Sequence, residues 1–326
     1  MDSYRSPLLD LPGAVAGDGV DAPVAAHYGS FNGEQRTLAG GQGFVDLSHR
    51  GVVRVAGPDR LSWLHSLATQ DFEHLQPGVA TTALLLSPQG HVEHAMYGTD
   101  DGEAFTAHVE PGRATALVEF LDSMRFMMRV EVTDLTGELA ACWRPGPAVE
   151  GNADEGPGAG KYDVFARAEL PTYAEAAGPA CGLWAFEALR IARGEPRFGV
   201  DSDQRTIPNE VGWIPSAVHL DKGCYRGQET VARVHNLGRP PRRLTLLHLD
   251  GSENRLPAAG APVLMGEKQV GAVGSSARHH ELGPVALALL KRNVPVGNEL
   301  VVDGIAAAQE VVVDPDIGLH VRPMRD

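Results

Sequence analysis

The sequence is short of cysteine, of cations and of long apolar runs, and each shortage removes a class of protein. Three widely spaced cysteines, Cys142, Cys181 and Cys224, make no disulfide scaffold and fit a reducing compartment. None of them has Cys-x-x-Cys spacing, so a structural zinc site is not expected. A conventional iron–sulfur cluster takes about four thiolates, which this chain does not hold by itself. A part in cluster chemistry would therefore be that of a helper or a transient, shared ligand. Lys and Arg number 28 against 42 Asp and Glu, a net charge of −14. That balance excludes a non-specific nucleic-acid binder, which needs a basic face to displace counterions. The longest apolar run, Val285 to Leu290, is too short to cross a bilayer. The first residues, with Pro7 and Asp10 around Leu8-Leu9, form no uninterrupted apolar signal core. The expected setting is the cytoplasm, with neither membrane nor nucleic acid as partner. His91 and His94 fall on opposite faces of a strand, and His279 and His280 are adjacent in a turn, so no metal site is expected.

The 326 residues exceed the size at which a single core stops growing, which predicts two or three domains. Residues 1–42, rich in Gly, Ala, Pro and Asp, read as an extended arm ending in a short helix near Tyr28. From Phe44 strands and helices alternate. Strands are expected at 52–55, 79–86, 91–97, 104–109, 129–133 and 138–143, with helices at 58–67, 113–121 and 182–192. Helices between antiparallel strands predict an α+β body rather than a doubly wound sheet. Residues 144–161 are dense in glycine, proline and acid and read as a mobile surface insertion. After Pro240-Pro241, short strands separated by Gly, Pro, Asn and Asp predict a small β-barrel over 241–326. The body is then 43–240, with the double proline as a hinge.

The chemistry concentrates in Lys222-Gly223-Cys224-Tyr225-Arg226-Gly227-Gln228-Glu229. A cysteine stands between two cations, with glycines on both sides and a helix start just beyond. Cations and a helix N-terminus favour a thiolate, whereas the plain alternative is a small residue packed in a tight turn. Residues 221–243 hold Lys222, Arg226, Arg233, Arg239, Arg242 and Arg243 against only Asp221 and Glu229. That local excess of positive charge reads either as a solvated loop face or as a site for an anion, with exposed amides at the helix start helping.

The motif and the following Thr230-Val231-Ala232-Arg233 closely resemble the signature of the folate-binding YgfZ family. That family includes mitochondrial iron–sulfur assembly factors and is related to the glycine-cleavage T-protein, a tetrahydrofolate-dependent aminomethyltransferase. Ala188 to Pro196 and Gly43 to His49 extend the resemblance, which runs from about Gly43 to the C-terminus. It implies two interleaved ferredoxin-like lobes forming a T-protein-like folate-binding body, followed by the barrel. It also implies tetrahydrofolate or another reduced folate as ligand, and iron–sulfur proteins or their assembly machinery as partners. The motif residues Lys222, Gly223, Cys224, Tyr225, Gly227, Gln228 and Glu229 carry the resemblance, with Cys224 as its functional thiol. Glu93, His94, Arg190, Glu195, Arg226 and Arg233 are the expected folate contacts.

Two departures from the T-protein pattern bear on activity. Its Gly-Gly-x-x-Asp-Asp stretch is here Gln89-Gly90-His91-Val92-Glu93-His94, with neither aspartate. Glu93 is one methylene too long to stand in without displacing the carboxyl. Its Arg-Leu-Glu-Ala-Gly stretch is here Arg190-Ile191-Ala192-Arg193-Gly194, where Ala192 replaces the acid that grips the pterin, leaving Glu195 as a substitute. The resulting expectation is a folate-binding accessory protein that supports assembly or repair of iron–sulfur enzymes. The alternatives are a tetrahydrofolate-dependent aminomethyl- or methyltransferase, and a non-catalytic interaction module.

Overall fold

The structure, a computed structural model, describes residues 4–146, 160–214 and 216–319. The chain divides into two compact units. One comprises Met1–Trp63, Leu75–Thr81 and Met96–Arg190, the other Leu64–His74, Thr82–Ala95 and Ile191–Asp326.

The chain opens on a hairpin of β1 (Val15–Ala16) and β2 (Ala25–His27), then α1 (Phe31–Ala39) and β3 (Phe44–Asp46). This segment, expected as an extended arm, is folded: Leu8, Val24, Ala25, Ala26 and Leu38 are all buried. The short helix expected near Tyr28 is α1, and the packing escaped the pattern because α1 buries Glu34 and Gln35 beside Leu38. The Glu34 carboxylate accepts from the amides of Tyr28 (2.9 Å), Ser30 (3.1 Å) and Gly182 (2.8 Å), so a buried acid takes the place of apolar residues.

Next come β4 (Gly51–Ala56), α2 (Arg60–Leu67), β5 (Ala80–Leu86), β6 (Val92–Asp100), β7 (Ala104–Val109), α3 (Ala114–Ser123) and β8 (Glu131–Asp134). Their strands form a five-stranded sheet in the order β5-β6-β7-β4-β8. Helix α3 buries Ala114, Leu117 and Leu121, the three- and four-residue spacing of one helical face. Then β9 (Leu139–Pro145), β10 (Gly160–Ala166), α4 (Leu170–Ala176), β11 (Ala180–Cys181) and α5 (Leu183–Ala192) complete the body's second sheet, in the order β10-β9-β3-β11. Its core joins Val45, Leu47, Ala141, Trp143, Cys181, Leu183, Phe186 and Leu189. Of the insertion expected over 144–161, residues 147–159 lie outside the described residues.

The second unit carries α6 (Gln228–Leu237), followed by β12 (Arg242–Leu249), β13 (Pro262–Met265), β14 (Lys268–His279), β15 (Gly283–Lys291), β16 (Leu300–Val302) and β17 (Ile305–Val311). These six strands close into a barrel in the order β12-β15-β14-β13-β16-β17. Closure removes the exposed sheet edges that short strands would otherwise leave. The lumen is filled by Leu247, Val263, Val273, Ala288, Leu290, Leu300 and Ile305. The α+β class and the C-terminal barrel read from the sequence are both present. Among the described residues no helix is long and apolar enough to cross a membrane.

Candidate functional site

The turn before α6 is held mainly by backbone and by one half-buried cation. Lys222 Nζ donates to the carbonyls of His65, Ala68 (2.6 Å) and Gln70 (3.0 Å), at and just past the end of α2. Helix ends leave carbonyls unsatisfied, and a lysine ammonium answers them in charge and hydrogen bonding. The same ammonium lies 5.2 Å from the centre of the Tyr225 ring. Burial pulls Lys222 down to about 8, against the opposing pull of Asp71 and Glu73. Lys222 therefore anchors the turn and is not a free cation beside the thiol, as the sequence alone had implied.

Tyr225 is buried, and burial pushes its hydroxyl up to about 12. Its amide donates to Gln228 Oε1 at 3.0 Å, so Gln228 folds back over the turn it follows. Gly227 sits at φ +80°, where a Cβ would stand 2.4 Å from the Ser87 carbonyl oxygen and 3.0 Å from Gly90 Cα. Gly90, at φ +82°, has the matching constraint against Thr230. The two glycines let the 87–91 turn and the motif meet backbone to backbone. Gly227→Ala should therefore destabilise the protein by about 2 kcal/mol, from left-handed strain together with the clash, a loss readable in urea unfolding.

Cys224 is exposed, and among the described residues it makes no hydrogen bond. Cys142 and Cys181 are buried, and burial raises both thiols, Cys142 well above the ordinary value and Cys181 to about 12. The packing alternative for Cys224 is thus not what the structure presents. Glu229 lies in the first turn of α6 and pairs with Arg233 at 3.1 Å, one turn along the same exposed face.

The positive excess of residues 221–243 is met by acceptors from far along the chain. Arg226 pairs with Glu93 at 3.3 Å, Arg239 with Asp316 at 3.7 Å, and Arg242 with Asp203 (2.6 Å) and Glu210 (2.8 Å). Arg243 is fully buried and donates to Thr245 Oγ1, the Val294 carbonyl and Gln309 Oε1, and desolvation lowers its pKa. The run is a set of structural ion pairs rather than a free basic patch.

The expected folate contacts divide accordingly. Glu93 and Arg226, 133 residues apart, are brought together at the surface. His94 is half-buried on β6, and Arg233 stands on the outer face of α6. Arg190 is buried and chelated by Glu187 through bonds of 2.9 and 2.5 Å, and Glu195 is chelated by Arg193 at 2.8 and 2.7 Å. Two residues that no motif marks, His65 and Asp71, lie beside the turn. Asp71 Oδ1 is 3.1 Å from His65 Nδ1, and the would-be Cβ of Gly223 is 3.9 Å from His65 Nε2.

Among solved structures, the glycine-cleavage aminomethyltransferase T of Bartonella henselae superposes with a TM-score of 0.77, covering 95% of this chain and 97% of that one at 20% identity. The chain has the aminomethyltransferase fold. By sequence it is 29% identical over 376 aligned positions to the aminomethyltransferase of a Parafrankia strain, covering 98% of this chain and 99% of that protein. It is 27% identical over 226 positions to the mitochondrial iron–sulfur cluster assembly factor IBA57 homolog of Mycosarcoma maydis, covering 62% of this chain. A chloroplastic protein of Arabidopsis thaliana named as a transferase is 25% identical over 267 positions, 71% of this chain. The matches span 56% of the length of the M. maydis protein and 61% of the Arabidopsis one. No family model matches the chain. Within the aminomethyltransferase fold, then, the relatives include both transferases and an assembly factor, as the motif resemblance implied.

Proposed function

We propose that this protein binds tetrahydrofolate or another reduced folate and supports the assembly or repair of iron–sulfur enzymes through Cys224, in the reducing cytoplasm. The observation that carries the reading is the division of labour inside the motif. Lys222, Tyr225, Gly227 and Gln228 are consumed in building the turn, and Glu229 in a surface ion pair. Cys224 alone is left exposed and without a hydrogen-bonding partner among the described residues. A turn made rigid around one accessible thiol suits a nucleophile, a redox partner or a transient iron ligand. The similarity to the M. maydis assembly factor supports the same reading.

Aminomethyl transfer is the second reading, favoured by relatives that match nearly the whole chain. Two local features weigh against it. Glu93 stands where the transferase pattern has aspartate and is engaged by Arg226, and Ala192 offers no carboxylate. A positioned general acid or base contributes about a hundred- to ten-thousand-fold in rate, so a displaced carboxyl at Glu93, with the pterin-gripping acid absent at Ala192, should leave negligible transfer. Release of ammonia from an aminomethyl-lipoyl carrier at a transferase-like rate would contradict this.

For the folate, Arg226 and Arg233 supply guanidinium groups that suit carboxylates of a glutamyl tail. Both already have carboxylate partners, so an incoming glutamate exchanges one exposed ion pair for another. Calorimetric titration at low salt should give saturable binding of tetrahydrofolate. Affinity for a pentaglutamate should exceed that for the monoglutamate by less than about tenfold. No saturable binding of any reduced folate would remove the folate half of the proposal.

A further inference from the structure

The second unit holds a basic pocket apart from the motif turn. Arg239, Arg292, Asn293, Pro295, Pro315 and Asp316 border a cavity of about 290 Å³ where the segment after α6, the loop after β15 and the chain beyond β17 meet. Arg239 is held at φ +71°, in the left-handed region that L side chains rarely adopt. It is tied on both sides. Its amide donates to the Ile317 carbonyl at 3.0 Å, and its own carbonyl accepts from Arg292 Nη1 at 3.0 Å. One guanidinium thus fixes the backbone that carries the other. Strain retained at an exposed arginine, where glycine would fit without it, indicates that the side chain is in use.

Neither cation is neutralised at close range. Arg292 has no carboxylate partner among the described residues, its only side-chain bond there being the one to the Arg239 carbonyl. Arg239 meets Asp316 at 3.7 Å, the loosest of the ion pairs made from residues 221–243 and beyond hydrogen-bond reach. Both side chains of that pair are open to water, at 62% and 74%, so the pairing is weak and readily exchanged. Asn293 adds a carboxamide donor to the same wall, and the rings of Pro295 and Pro315 stiffen it.

We propose that Arg239 and Arg292 form an anion site that takes a phosphate group, either the free ion or the end of a small phosphate ester. A phosphoryl group brings roughly two negative charges and three acceptor oxygens, enough to engage both guanidinium groups and the carboxamide together. A single carboxylate, with one charge and two oxygens, is what Asp316 already supplies at the edge. The incoming dianion displaces it. The cavity is just below the roughly 300–1,000 Å³ of sites for drug-sized ligands, so it holds a headgroup rather than a whole cofactor. The site is independent of Cys224 and of the residues assigned to folate.

Titration of the full chain at low salt with inorganic phosphate and with phenyl phosphate, read from the arginine Nε–H resonances, tests this. Sodium acetate and sodium chloride at matched ionic strength serve as controls. The Arg239 and Arg292 resonances should shift saturably with the phosphates and barely with either control. Tighter binding of phenyl phosphate assigns the ester, and equal binding assigns the free ion. Arg292→Gln should weaken phosphate binding by about tenfold or more, the loss of one charge-assisted contact. Arg239→Gly suits the left-handed backbone, so its urea midpoint should be no lower than that of wild type while the phosphate response disappears. Shifts that acetate or chloride reproduces overturn the site, as does a phosphate affinity that both substitutions leave unchanged. An Arg239→Gly variant that unfolds more easily shows the arginine to be holding the turn, and overturns the proposal as well.

Discussion

Arg242→Met should lower the unfolding free energy by about 3 kcal/mol. Arg242 opens β12 and donates to both oxygens of Glu210, at 2.9 and 2.8 Å, and to both of Asp203, at 2.6 and 3.1 Å. Glu210 is almost wholly buried, with a side chain 1% exposed. Removing its cation leaves a buried carboxylate held, among the described residues, only by the Ile207 amide at 3.1 Å, and breaking one half of a buried pair costs about 3–5 kcal/mol. The quarter exposure of Arg242 places the estimate at the lower end. The pH dependence gives a second signature. Burial raises Asp203, but the bonds from Arg242, the Arg205 amide and Thr206 outweigh it and hold the carboxyl at about 2. A carboxyl depressed by folding contributes stability that is present above its unfolded pKa, about 3.9, and is lost as pH falls toward 2. Acid unfolding of the wild type should show that loss, and Arg242→Met should flatten it. Urea melts at pH 7, 4 and 2.5 would show whether it does, and a variant as stable as wild type would contradict the account.

Cys224→Ser should abolish support of iron–sulfur enzymes while leaving the folded protein almost unchanged. The side chain is exposed and without a hydrogen bond among the described residues, so the substitution removes neither core packing nor a partner. Exposed substitutions of this kind usually shift stability by no more than about 0.5 kcal/mol. Folate titration should be unaffected, since the pairs around Glu93, Arg226 and Arg233 do not involve the thiol. Melting, titration and complementation of a deletion strain would be measured on the same variant. A serine variant that complements fully would return Cys224 to the status of an ordinary surface residue.

How far the sequence reached differs between the fold and the site. The barrel was legible because its strands are short, apolar and separated by turn residues, and its six strands fall within the expected 241–326. Helix α1 was legible only as a short helix near Tyr28, and its packing was not, because its buried face is Glu34, Gln35 and Leu38, which carries no apolar period. At the site, the motif and the helix starting at Gln228 were legible locally. What each cation does was not. The acceptors of Lys222 are backbone carbonyls, which leave no mark in a sequence, and those of Arg226 and Arg242 lie 133 and 32 residues away. An apparent basic patch therefore dissolved into separate structural pairs. His65 and Asp71 were passed over because a histidine at a helix end, six residues before an aspartate, is unremarkable until Gly223 is seen beside it.

The most direct measurement of the central claim is made in a strain lacking this protein, comparing the specific activities of its iron–sulfur enzymes with its rate of glycine cleavage. The account predicts that iron–sulfur enzyme activities fall, that glycine cleavage stays at the wild-type rate, and that only a gene encoding Cys224 restores the former. Lost glycine cleavage with intact iron–sulfur enzymes would contradict it and identify the protein as an aminomethyltransferase.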